Sequence, residues 1–137
     1  MSNVLTMKWQ SQCSQSFTSA VNKVKHGDTP TFSPATLSST SPVTVSASQS
    51  NDASPGPEGK YTWNTTDLSN DVACEYHFPA GSSGQLIQVT LTPSKDLQIS
   101  FDGTNYKAGK LEQSWTSTTT TFTVSCYVQD VPATGKH

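Results

Sequence analysis

A chain of 137 residues is long enough to bury one hydrophobic core and too short for two well-formed ones. Charged residues make up only 13% of it, and 21 Ser with 20 Thr carry most of the polarity, a composition that suits strands better than helices and lacks the high charge of disordered chains. The net charge of -2, with eight Lys and no Arg, supplies neither a positive field nor a guanidinium fork for phosphates, which argues against a nucleic-acid partner.

The opening MSNVLTMKWQSQCSQ has no apolar run of signal-peptide length, and no later stretch reaches the roughly 18 apolar residues of a membrane span. The expectation is cytoplasmic residence or unconventional secretion. Trp9, Cys13, Phe17, Ala20, Val21 and Val24 follow the i, i+4, i+7 spacing of one helix face, closed by Gly27. The spacing predicts an amphipathic helix over about 11–25, capped by Ser11 or Ser14 and stabilised by docking its apolar stripe.

Between Gly27 and Gly59 the prolines at 30, 34, 42, 55 and 57 leave one clean alternation, Val43, Val45 and Ala47. The tract SQSNDASPGPEG, about 48–59, reads as an exposed, mobile loop. From Lys60 onward period-2 alternation dominates: Tyr61 and Trp63; Val72, Cys74, Tyr76 and Phe78; Ile87, Val89 and Leu91; Leu97, Ile99 and Phe101; Phe122, Val124, Cys126 and Val128. The turn sequences PAGSSG, TPSKD and DGTN between these runs predict successive antiparallel hairpins. One-sided strands in this number need a covering layer. The fold expected is a single all-β domain over 1–137, an antiparallel β-sandwich of about seven strands behind the N-terminal helix, with a closed barrel as the alternative.

Cys13, Cys74 and Cys126 are odd in number and widely spaced, which fits neither a disulfide framework nor a zinc motif. Buried free thiols are expected, with a Cys74 to Cys126 bridge as the alternative. No HExxH, GxSxG, Walker or GxGxxG string occurs, so no catalytic residue, metal or cofactor is expected. Glu75 and His77 should stand side by side on an outward strand face as a surface ion pair, and Asp67, Asp71 and Asp102 read as solvated loop acids.

What remains is aromatic rings beside amides and carboxylates, the ingredients of a sugar-binding surface. One stretch offers Trp63, Asn64, Asp67 and Asn70; the other offers Asp102, Asn105, Tyr106, Glu112 and Trp115. Trp115 ranks ahead of Trp63, because KLEQSWTS alternates poorly whereas Trp63 shares a strand face with Tyr61.

Two segments, Lys60-Tyr61-Thr62-Trp63 and TTTTFTVSCYVQDVPATG, resemble the strand opening and the last strands of fungal immunomodulatory proteins and, more loosely, small cytosolic mushroom lectins. HGDTPTFSP keeps only a Thr-Pro of that family's aromatic loop. The resemblance implies a fibronectin-like sandwich, a homodimer formed through the N-terminal helix, and non-enzymatic binding of cell-surface glycans or glycoproteins, with Trp63 the one residue carried over. A second expectation is a membrane-active, aegerolysin-like lipid binder or pore-forming component that sets Trp and Tyr at a lipid surface. A third is a hydrolase inhibitor presenting SQSNDASPGPEG.

Overall fold

Alternation of apolar and hydroxyl residues governs the chain from its first turn of sequence, and the computed structural model, which describes residues 2–51, 54–81 and 84–132, is built from strands throughout. They are β1 (Val4–Ser11), β2 (Phe17–His26), β3 (Thr31–Ser33), β4 (Thr36–Leu37), β5 (Val43–Ser48), β6 (Glu58–Thr65), β7 (Asp71–His77), β8 (Gln85–Pro93), β9 (Leu97–Ser100), β10 (Leu111–Ser117) and β11 (Thr121–Asp130). Five form one sheet in the order β3-β5-β1-β11-β9, and six form another, β10-β8-β7-β6-β2-β4. Two separate sheets with apolar inner faces make a sandwich, not a closed barrel.

The expected N-terminal helix is absent. Residues 4–11 alternate with period 2, so that Leu5, Met7 and Trp9 are fully buried in β1. Phe17 is buried at the start of β2, but Ala20 and Val21 are exposed. The helical spacing 9, 13, 17 arises because one buried residue of β1, one of the connection and one of β2 happen to lie four apart. Hydroxyl and β-branched residues in SFTSAVNKV decide for strand. The surface through which helix-mediated dimerisation was expected does not exist.

Among the described residues eleven strands replace the expected seven or so: β2 falls in the segment read as helix, the short β3 and β4 in the one read as loop, and β1 ahead of both. The inner alternations are as expected: Val43, Val45, Ala47, Tyr61, Trp63, Val72, Cys74, Tyr76, Ile87, Val89, Leu91, Leu97, Ile99, Val124, Cys126 and Val128 are buried. The hairpin at PAGSSG pairs β7 with β8. TPSKD and DGTN instead carry the chain across the sandwich, since β8 and β10 lie in one sheet and β9 in the other. β1 runs parallel to β11, tying both ends of the chain into one sheet.

Of the loop at 48–59, Ser48 belongs to β5 and Glu58 to β6, while residues 52 and 53 lie outside the described residues. Its described flanks are anchored. Gln49 is buried and donates through Nε2 to the carbonyls of Asn51 and Ser54. Gly56 packs so closely that a Cβ there would fall 1.8 Å from the Phe78 carbonyl oxygen.

Trp9, Tyr61, Trp63 and Phe32 meet edge to face at the centre, with ring centroids 5.2–6.3 Å apart. The Trp9 indole donates to the Tyr61 hydroxyl at 2.8 Å, and that hydroxyl donates to the Met7 sulfur at 3.3 Å. All three cysteines are free and buried. Burial pushes the Cys13 thiol up to about 11 and the Cys74 thiol up to about 12, so both stay protonated and unreactive near neutrality.

Candidate functional site

A missing strand neighbour creates a surface cavity. β9 ends at Ser100 and pairs with β11 only over Tyr127–Asp130, so among the described residues the preceding half of β11 has β1 on one side and no strand on the other. Across the sandwich lies β10, the edge of the six-stranded sheet. Its residues Leu111, Gln113 and Trp115 pair in register with buried Leu91, Val89 and Ile87, which puts their side chains on the inner face. Between the two edges opens a groove of about 380 Å³, lined by Trp115, Gln113, Asn105, Asp102, Thr123 and Ser125 over a floor of Phe101, Leu111 and Val124.

Trp115 is half-buried. Its ring stands edge-on to Phe101, with centroids 5.3 Å apart and planes at 89°, and tilts against Phe122 at 6.0 Å. The indole is therefore held in place by two rings while part of it borders the groove.

Asp102 organises the rim. Its Oδ1 accepts from the backbone N–H groups of Thr104 and Asn105 and from the Ser100 hydroxyl, and its Oδ2 accepts from Asn105 Nδ2 at 2.6 Å. Gly103 turns through a φ of 77°, where a Cβ would press within 3.2 Å of the Tyr127 ring. The Asn105 N–H and amide, with the Ser100 and Thr104 bonds, hold the exposed Asp102 carboxyl well below the usual carboxylate range. Asp102 thus spends its acceptors on fixing Asn105 at the rim of the groove.

Of the residues expected to form a site, Trp115, Asp102 and Asn105 are brought together in this groove and the others are not. Tyr106 lies outside the lining, and partial burial raises its phenol, with Tyr127 adding to the shift. Glu112 projects from the opposite face of β10 into a shallower polar depression of about 250 Å³ with Glu75, His77, Gln88, Thr90 and Lys110. Trp63 has 0% exposure and is a core residue, so its ring is closed to any ligand. Asn64 is half-buried beside Thr18 and Asp71, remote from the groove lining. Asp67 caps the β6–β7 turn, accepting from Ser69 and Thr65.

Sequence reasoning missed Gln113, Phe101, Thr123 and Ser125. The signal was available for Gln113, because Leu111, Gln113, Trp115 and Ser117 alternate as one strand face. The pairing expected for His77 also shifts: its Nε2 lies 3.5 Å from Glu58, which lies 3.7 Å from Lys25, while Glu75 sits opposite Lys60. Among the described residues no group of three His, Cys, Asp or Glu is arranged to hold a metal ion.

Compared with known proteins, the chain matches no protein-family model and is not significantly similar to any curated protein.

Proposed function

We propose that the protein is a non-enzymatic, lectin-like carbohydrate binder whose site is the groove between β10 and β11. The observation that carries this reading is a fixed, half-buried indole, Trp115, flanked by Asn105, Gln113, Thr123 and Ser125. Sugar rings offer apolar C–H faces to an aromatic and hydroxyls to amides and side-chain hydroxyls, and this lining has both. The single carboxylate and the lack of Lys in the lining favour neutral sugars over sialylated or sulfated ones. Glycans or glycoproteins are the partners this site fits.

The membrane-active reading calls for aromatic side chains on the outer surface, whereas among the described residues the exposed large apolar side chains are Val21 on β2, Leu68 in the β6–β7 turn and Leu86 on β8. The inhibitor reading rests on the 48–59 loop, whose described flanks are anchored.

The test is a glycan array followed by titration calorimetry on the parent and on Trp115→Ala. The expected result is binding to neutral glycans that weakens by at least about tenfold in the variant, which still melts cooperatively. No array signal above background, or unchanged affinity in a folded Trp115→Ala protein, sinks the proposal. Pelleting of the parent with plain phosphatidylcholine vesicles would favour the membrane reading instead.

A further inference from the structure

Exposed sheet edges carry unpaired N–H and C=O groups, and proteins ordinarily blunt them by shortness, proline or lysine. Two open stretches lie inside the sheets: the part of β2 beyond β4 carries Lys23, Lys25 and two register shifts, and the first half of β11 forms a wall of the groove. Of the four terminal edge strands, three are blunted. β9 is four residues long and follows Lys95-Asp96; β3 is three residues long between Pro30 and Pro34; β4 is two residues long. The fourth edge, β10, runs for seven residues, LEQSWTS, with no proline, no lysine and one charge, Glu112. Among the described residues its backbone pairs with β8 alone.

We propose that β10 is a homotypic docking edge, at which a second copy of the chain adds its own β10 antiparallel about a two-fold axis through Ser114. The strand is complementary to itself in that register. Ser114 meets Ser114 of the second copy, Glu112 meets Thr116, Gln113 meets Trp115 and Leu111 meets Ser117, so all seven residues pair and no like charges face each other. A centred antiparallel pair keeps inner faces on the same side. The two sheets therefore become one, and the two Trp115 grooves open next to each other across the axis, each bordered by Gln113 of the second copy. This differs from dimerisation through an N-terminal helix and does not depend on what the groove binds.

Ser114 is exposed on the outer face of β10, so replacing it leaves the monomer's packing untouched. Sedimentation equilibrium from about 1 µM to about 1 mM should show a monomer–dimer equilibrium for the parent and for Ser114→Thr. Ser114→Lys sets two ammonium groups against each other at the axis and should weaken the dimer at least tenfold, or about 1.4 kcal/mol, with unchanged melting of the dilute monomer. Under mild oxidation Ser114→Cys should crosslink two chains, whereas Thr116→Cys, which meets Glu112, should not, and the buried native thiols stay silent. A parent that remains monomeric throughout, with the edge bare or taken by a foreign strand, overturns the proposal. A Ser114→Lys protein that dimerises like the parent, or a Thr116→Cys protein that crosslinks as fast as Ser114→Cys, overturns it as well.

Discussion

The molecule holds two aromatic clusters, each centred on Trp and Phe rings, one closed and one open. Trp63 lies on β6 with β2 and β7 on either side, its ring packed edge-on against Trp9, Tyr61 and Phe32. Trp115 lies on an edge strand, opposite the point where β9 gives out, partly buried against the core with Phe101 and Phe122 as its ring neighbours. Side-chain direction is inward in both cases. What separates a core plug from an available ring is the reach of the neighbouring strands, a property of the sheets and not of the residue.

The sharpest break in that comparison is truncation of each indole in turn. Trp63→Ala removes a fully buried ring and should cost about 3–5 kcal/mol of stability by chemical denaturation. Trp115→Ala, starting half-buried at an open edge, should cost only about 1–2 kcal/mol. Equal losses would mean that the two clusters do not differ as their burial indicates.

A finer test asks what the closed cluster does with its polar atoms. Tyr61 accepts from Trp9 Nε1 and donates to Met7, so Tyr61→Phe leaves a fully buried indole N–H without its acceptor. The expected cost is about 1–3 kcal/mol in denaturant unfolding, with groove binding unaffected. A neutral Tyr61→Phe would show that the bond contributes nothing net.

The strand alternations after Lys60 were legible because each one-sided strand repeats every second residue, and the inward cysteines followed from it. The first 26 residues were not legible, since Trp9, Cys13 and Phe17 mimic a helix stripe while the exposed Ala20 and Val21 are invisible as such in one dimension. The groove was legible in part. Trp115, Asn105 and Asp102 stand near each other in sequence around one turn, but Thr123 and Ser125 join them only because β11 crosses behind. Tyr106 and Trp63 fall outside the groove lining for the same reason: which side of a turn or sheet a ring occupies depends on long-range pairing.

The smallest expected effect distinguishes two acid-held turns, one beside the open cluster and one at the distant β6–β7 hairpin. The Ser69 hydroxyl and N–H, with Thr65 and Gln15, lower Asp67 from 3.8 to about 2, and Asp102 is held lower still by Asn105, Ser100 and Thr104. A carboxyl whose pKa is lower folded than unfolded contributes stability that is present above its unfolded value and is lost as pH falls through its folded value. The stability that these two carboxyls contribute should therefore be full above about pH 4 and be lost below it, with Asp67→Asn flattening the decline between about pH 4 and 2 by up to about one proton in slope. Both turns are solvent-exposed, so the effect is modest. Binding splits them: Asp102→Asn frees Asn105 at the groove rim and should weaken sugar binding, whereas Asp67→Asn should leave it unchanged. Thermal melts at stepped pH, paired with calorimetry at neutrality, read both quantities. Equal loss of binding in the two variants would show that the Asp102 turn has no special part in shaping the groove.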